Sequence, residues 1–156
     1  MGCVLRVSGT KFDPAKFLAS STLRPYAVFR AGDVKVASSA RKHETSGFKV
    51  VVSRGSWSDL SEQVTDAVAF LRKHRKTLAK LRRVREVEDV RLDFGLDLRI
   101  DRKTTFMQFE YFPLKLVSLA GELGCGLELS IYPTDLEQLA RKRARRRKKS
   151  TSRGTG

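Results

Sequence analysis

The segment Val90–Ile100 has the sequence VRLDFGLDLRI, and it decides the fold class. Apolar residues occupy every second position from Val90 to Ile100, while charged residues and Gly95 occupy the positions between them. This period of two predicts a strand with one face in a core and the other in solvent. A sheet with one solvated face favours an antiparallel or mixed arrangement, because wholly parallel sheets are usually buried on both faces.

Five other segments have the pattern of strands, and with Val90–Ile100 they predict a sheet of about six strands. Alternation is clear in Cys3–Gly9 and in Cys125–Ile131. Three consecutive Val residues in Phe48–Ser53 indicate a strand that is buried on both faces. The remaining two candidates are Tyr26–Val36 and Phe106–Phe112, the second as the return strand of an aromatic-rich hairpin.

A long amphipathic helix is predicted over residues 60–81. Its stripe has a 4-3-4-3-4-3 spacing and consists of Leu60, Val64, Ala67, Leu71, His74, Leu78 and Leu81. This spacing keeps one face on a partner surface for about six turns, and it places His74 on that face. Asp59 and Glu62 precede the stripe at the spacing of a capping box. Shorter helices are predicted over residues 14–20 and 114–123.

These elements predict an α+β fold. We expect a two-layer sandwich, in which a mixed or mostly antiparallel sheet carries the helices on one face. Residues 1–133 are expected to form a single domain, since about this length suffices for a self-sufficient core. Residues 134–156 are predicted to begin as a basic helix and then to continue as a partly disordered tail.

Two segments hold the surplus positive charge of a chain whose formal net charge is +15. Residues 72–85 contain eight Lys and Arg residues and no acid, and residues 141–156 contain nine and no acid. Removing these 17 from the 32 basic residues leaves 15 against 17 acids, so the rest of the chain is close to neutral. A localised cationic run attracts polyanions whatever their sequence.

The candidate polyanion-binding residues lie in these two segments. They are Arg72, Lys76, Lys80, Arg83, Arg141, Lys142, Arg143, Arg145, Arg146, Arg147, Lys148 and Lys149. The helical ones have an alternative explanation, because cations late in a helix and acids early in it complement the helix dipole. Trp57 and three scattered Tyr residues do not suggest a base-stacking platform.

Established catalytic motifs are absent from the sequence: there is no phosphate-binding loop, no dinucleotide fingerprint and no nucleophile elbow. Cys3, Cys125, His43 and His74 lack the spacing of a metal site, so neither a metal nor a cofactor is expected. His43 and Glu44 form a possible loop site, because a histidine beside a carboxylate can transfer protons. We favour the alternative, a loop whose polar side chains bond to its own backbone.

The two cysteines and the apolar runs bear on location. Cys3 and Cys125 are isolated and lie in strand-like segments, which indicates buried free thiols in a reducing compartment. No apolar run approaches the ~20 residues of a membrane span, and the N-terminus lacks the layout of a signal peptide. We expect a cytoplasmic protein with no membrane partner.

Four short motifs carry a resemblance to other proteins: CVLRVSG (Cys3–Gly9), HETSGF (His43–Phe48), LDFG (Leu92–Gly95) and Phe112-Pro113. They resemble an uncharacterised bacterial family that is classed only as a domain of unknown function. The resemblance covers about residues 3–133 and leaves out the tail. It implies a small stand-alone bacterial α+β domain without an established activity, and small domains of this kind often act as immunity-type or regulatory binding proteins.

Three hypotheses about function follow. The first is a non-catalytic binding module with a polybasic tail, whose core docks on a partner protein. The second is a nucleic-acid- or polyanion-binding protein that uses the tail and the ridge on the long helix. The third is an enzyme centred on His43 and Glu44. The first hypothesis assigns no catalytic residue, and we favour it.

Overall fold

The computed structural model describes residues 1–35, 41–100 and 106–133. Within them the elements follow the order β1 (Cys3–Gly9), α1 (Pro14–Ala19), β2 (Ala27–Phe29), β3 (Ser46–Ser53), α2 (Leu60–Lys73), α3 (Arg75–Leu81), β4 (Asp89–Leu98), α4 (Leu114–Glu122) and β5 (Gly126–Pro133). In these three stretches, each helix is too short or too polar to cross a membrane.

The strands form one mixed sheet in the order β2-β3-β1-β4-β5. β1 is central and pairs antiparallel with both β3 and β4, and β2 pairs antiparallel with β3. This arrangement confirms the α+β fold class. The described residues contain five strands, so the prediction of about six is one too many.

The missing strand is Phe106–Phe112, which the structure leaves outside regular secondary structure. Gln108 of this segment contacts the backbone of Asp97 and Arg99 through its side-chain amide. Its Oε1 accepts a hydrogen bond from the Arg99 backbone N–H at 3.0 Å, and its Nε2 donates to the Asp97 carbonyl oxygen at 3.2 Å. A side chain therefore satisfies two backbone groups that a neighbouring strand would otherwise engage.

The predicted strand over Tyr26–Val36 is also shorter than expected, because β2 ends at Phe29. Gly32 follows with a φ of 91°, a left-handed conformation that glycine adopts without steric cost. Beyond this turn an isolated bridge joins Val34 to Lys42, and Val36 lies outside the described residues.

One face of the sheet is the core face, and the alternation of Val90–Ile100 predicted its centre. At the end of that alternation Leu98 and Ile100 are 36% and 46% exposed, so the prediction that they lie in the core is wrong. The central residues Leu5, Leu92 and Phe94 have no solvent exposure. The helices cover this face with the predicted stripe, of which six members are buried: Leu60, Val64, Ala67, Leu71, Leu78 and Leu81. Burial of a side chain of this size stabilises a fold by roughly 1.5–3 kcal/mol.

His74, the seventh member of the stripe, divides the predicted long helix into α2 and α3. Its φ of −101° and ψ of 14° lie outside the helical region. The helical hydrogen bonds nevertheless continue across it, from His74 N–H to Phe70 O and from Leu78 N–H to His74 O, both at 2.9 Å. The chain is therefore kinked at His74, and α3 keeps its apolar residues on the core.

The chain divides into two compact units. The first contains residues 1–96 and 109–130, and it holds the core and all the surfaces discussed below. The second contains residues 97–108 and 131–156, of which the structure describes 97–100, 106–108 and 131–133.

Candidate functional site

The basic helical surface consists of Arg72, Lys76, Lys80 and Arg83, the four helical residues predicted to bind polyanions. Arg72 lies in the last turn of α2, Lys76 and Lys80 lie in α3, and Arg83 follows α3 directly. All four are exposed. In the part of the chain that the structure describes, none of them forms an ion pair or a side-chain hydrogen bond.

Two neighbouring arginines differ from these four because they have structural partners. Arg75 forms an ion pair with Glu122 at the end of α4. Arg82 donates a hydrogen bond from Nη1 to the Glu122 carbonyl oxygen at 2.8 Å. Arg75 and Arg82 thus hold α3 to α4, whereas the basic helical surface leaves its charges available to a ligand.

The eight predicted tail residues cannot be placed on this surface. Arg141, Lys142, Arg143, Arg145, Arg146, Arg147, Lys148 and Lys149 all lie outside the described residues. The basic tail therefore stays a prediction from the sequence.

The predicted loop site of His43 and Glu44 is held by backbone and ring contacts. The His43 ring stacks on Phe29 with 4.3 Å between ring centroids and 20° between planes. Its backbone N–H donates to Asp33 O, and its carbonyl accepts from Gly32 N–H, both at 2.8 Å. Glu44 is exposed, and no hydrogen bond between the described atoms joins it to His43. The geometry gives the histidine a structural role in this loop.

His74 and the two cysteines were the other side chains considered for chemistry. His74 Nδ1 lies 3.3 Å from Thr22 Oγ1, and desolvation together with the neighbouring Lys73 lowers its pKa. Burial raises the pKa of the Cys3 thiol, and it raises the pKa of Cys125 to about 11. Both cysteines are free and buried, as predicted. Over residues 1–35, 41–100 and 106–133 no three His, Cys, Asp or Glu side chains are grouped as metal ligands would be.

An apolar groove of about 320 Å³ runs between α2 and the start of α4. Its lining is Val64, Thr65, Val68, Ala69, Arg72, Pro113 and Lys115. The side chains of Arg72 and Lys115 are its two charged members, and both are exposed. The floor is apolar because Val64 and Val68 belong to the stripe side of α2 and are buried.

Large apolar side chains are exposed next to this groove in the sequence. Phe109 is 80% exposed, Tyr111 76% and Leu114 74%, and Val117 on α4 is 44% exposed. Single exposed apolar residues are normal on a protein surface, but a contiguous group marks an interaction site. Four of them occur within residues 109–117, and Pro113 and Lys115 of the same stretch line the groove.

The polar face of the sheet carries a row of three cations that the sequence did not reveal. The strand pairing places Arg6 of β1 directly between Lys49 of β3 and Arg91 of β4. Arg6 forms an ion pair with Asp93, which is only 4% exposed and also accepts a hydrogen bond from Ser130 Oγ at 2.6 Å. This face was predicted to be solvated, and Asp93 shows that part of it is not.

Arg91 and Lys49 differ in how they are balanced. Arg91 Nη1 lies 3.3 Å from Asp89, and its Nε lies 2.8 Å from Glu128 Oε2 without the alignment of a hydrogen bond. Lys49 has no carboxylate within ion-pair distance among the described residues. Burial lowers the pKa of Lys49, the adjacent Arg6 lowers it further, and Asp93 opposes the change.

Comparisons of the chain with protein-family models, with curated proteins and with solved structures found no match. The function is therefore inferred from the chain's own surfaces.

Proposed function

We propose that this protein is a non-catalytic binding module that docks a partner protein on the groove between α2 and α4. The observation that carries the proposal is the apolar floor of this groove together with the exposed side chains of Phe109, Tyr111, Leu114 and Val117. Exposing these side chains to water is unfavourable, and a partner that covers them recovers about 25 cal/mol per Å² of buried apolar area.

The charges of the groove indicate what kind of partner it fits. Arg72 and Lys115 both line it, and none of the described residues lining it is a carboxylate. A partner segment that inserts an apolar or aromatic anchor and carries Asp or Glu beside it would match both the floor and the rim. An immunity-type or regulatory role, as the family resemblance implies, requires this kind of protein recognition.

Selection from a displayed random-peptide library tests the proposal with one groove variant. Ala69→Arg places a long cation in the groove from an exposed helical position, so the fold should be kept while the anchor site is filled. Ala19→Arg is the matched control, because Ala19 is an exposed helical alanine that does not line the groove.

The wild type and Ala19→Arg should enrich peptides that combine apolar anchors with acidic residues, and Ala69→Arg should lose at least about tenfold in affinity for them. Failure to enrich such peptides, or equal binding by Ala69→Arg, would contradict the proposal.

Polyanion binding is a second candidate, and the unpaired charges of the basic helical surface favour it. Cations that stabilise a fold usually have partners, as Arg75 and Arg82 do, whereas Arg72, Lys76, Lys80 and Arg83 have none among the described residues. Nucleic-acid binding should weaken steeply with salt, because each neutralised phosphate releases counterions.

A chain truncated after Pro133 separates the tail from this surface. The truncation removes nine Lys and Arg residues, so the log–log salt slope on duplex DNA should fall by at most ~8. Replacing Lys76 and Lys80 by Gln in the truncated chain should remove most of the remaining binding. An unchanged slope after truncation would exclude the tail from the interaction.

A further inference from the structure

The polar face of the sheet contains more positive charge than its own acids are placed to balance. Lys49, Arg6 and Arg91 lie directly opposite one another on three neighbouring strands, and like charges in such cross-strand positions destabilise a sheet. Asp93 balances Arg6, and Asp89 and Glu128 balance Arg91, so Lys49 remains without a counter-charge among the described residues. An anion from solution would be attracted to this position.

A pocket of about 270 Å³ opens at this row. Among the described residues that line it, four are cations, namely Arg6, Lys35, Lys49 and Arg91, and one, Asp89, is a carboxylate. Ser8 and Thr45 add hydroxyl groups that can donate to an oxyanion. The pocket is therefore lined by donors from four separate segments of the first unit, which is a more convergent arrangement than a charged helix surface provides.

Two donors of the row, Arg6 Nε and Arg91 Nε, lack an aligned hydrogen-bond acceptor among the described residues, although Arg91 Nε has an ion-pair partner in Glu128. Arg6 Nε is buried and has no partner in the described residues, although Nη2 of the same guanidinium pairs with Asp93. A buried donor without an acceptor is costly, and such groups in a native fold often belong to a binding site. Arg6, which carries this unsatisfied donor, also lines the pocket.

The size and the wall of the pocket restrict the ligand. A volume of about 270 Å³ has room for a small organic anion. Phe29 and His43 form a stacked aromatic wall on one side. This wall can pack against a flat or apolar part of a ligand whose charged part faces the cations.

We infer that the polar face of the sheet binds a small multivalent oxyanion, a phosphate ester or a polycarboxylate, through Lys49, Arg6, Arg91 and Lys35. His43, which the sequence singled out beside Glu44, belongs to this site as part of its wall and needs no catalytic role there. This site is distinct from the α2–α4 groove and does not depend on it.

Isothermal titration calorimetry on the full chain tests the site with three probes: inorganic phosphate, pyrophosphate and citrate. Pyrophosphate or citrate should bind with a dissociation constant of about 1 mM or tighter at low salt. Tighter binding of pyrophosphate would identify a phosphate ligand, and tighter binding of citrate a carboxylate ligand. Lys49→Gln should weaken the better probe at least about tenfold, because a charge-assisted hydrogen bond is lost. Lys35→Gln provides an independent second variant and should also weaken it.

Lys16→Gln is the matched control, because it removes the same charge from an exposed position of α1 that belongs neither to the pocket nor to the basic helical surface. It should leave the affinity of the probe unchanged. Equal weakening in Lys16→Gln and Lys49→Gln would overturn the site, since attraction would then follow net charge alone. Absence of binding by all three probes would overturn it as well. Far-UV circular dichroism of each variant verifies that the fold is kept.

Discussion

The two faces of the sheet are built on different principles. The core face carries Leu5, Leu92 and Phe94, which are fully buried under α2 and α3. The polar face carries Arg6, Lys49 and Arg91, of which Arg6 and Arg91 pair with carboxylates and Lys49 has none within ion-pair distance among the described residues. Each core residue stabilises the fold by removing its apolar surface from water, which does not require one particular partner. A charged residue on the polar face is balanced only where a specific partner lies within ion-pair distance.

This difference shows which face of the sheet is open to a ligand. An apolar face satisfied by its own helices offers nothing to a ligand. A polar face with three aligned cations and one uncompensated lysine is suited to recognition of an anion, at a cost in stability. The following predictions either strengthen this contrast or break it, beginning with the largest effect.

Leu71→Ala should cause the largest loss, because Leu71 lies fully buried on the core side of α2. Removing its side chain leaves a cavity and should cost about 2–5 kcal/mol in the free energy of unfolding. Lys76→Ala, on the exposed side of α3, should cost less than about 1 kcal/mol. Urea titrations measure both values, and equal effects would show that the helical face is assigned wrongly.

Asp93→Asn should be the most destabilising change on the polar face. The carboxylate is buried, pairs with Arg6 and accepts from Ser130, so its neutralisation leaves Arg6 between two other cations. We expect a loss of about 1.5–3 kcal/mol in the same titration. Asp89→Asn on the same strand is the control and should cost less than about 1 kcal/mol, because its pair with Arg91 is largely exposed. A smaller loss in the free energy of unfolding than that of Asp89→Asn would show that the fold does not depend on Asp93.

Lys49→Gln should stabilise the fold slightly. The side chain lies directly opposite Arg6, and relief of like-charge repulsion across strands contributes about 0.2–1 kcal/mol. Thermal melts without added phosphate or citrate measure this gain. A clear loss of stability would show that Lys49 has a structural partner and would weaken the inference of an anion site.

The smallest effect concerns pH at the edge of the core face. The pKa of His74 in the folded state is lowered by desolvation and by Lys73, so the folded protein prefers the neutral ring. The resulting stability is present above the unfolded pKa of about 6.5 and is lost as the pH falls through the lower folded value. The ring is partly exposed, so the loss should stay well under about 1 kcal/mol. Melting temperatures at several pH values should fall more for the wild type than for His74→Gln, and identical pH profiles would exclude His74 as the cause.

The core face followed from the sequence because its signal is local. The alternation of Val90–Ile100 and the stripe from Leu60 to Leu81 are each readable within one segment. The stripe predicted six buried residues out of seven, whereas the alternation was right for Leu92, Phe94 and Leu96 and wrong for Leu98 and Ile100, which are exposed. The kink at His74 was not predictable, because the apolar spacing continues through it unchanged. The strand predicted over Phe106–Phe112 does not form. The segment has a high β propensity, but Gln108 contacts the neighbouring backbone through its side chain.

The candidate anion site could not be predicted for a different reason. Arg6, Lys49 and Arg91 are far apart in the sequence, and each alone is an ordinary polar residue of an alternating strand. Their alignment exists only in the register of two strand pairs, and a shift of one residue would separate them. The sequence indicated His43 because of its neighbour Glu44, but in the structure the His43 ring stacks on Phe29.

The central position of β1 has a consequence for how the protein is made. Cys3 of β1 pairs with Phe94 of β4, so β1 cannot complete its hydrogen bonding until about 90 further residues have been synthesised. At a translation rate of about 5–20 residues per second, this delay lasts roughly 5–18 seconds. Contacts so distant in sequence also slow folding itself. During that interval β1 exposes a Val- and Leu-containing edge on the ribosome, and holding chaperones that recognise such segments have several seconds in which to bind it.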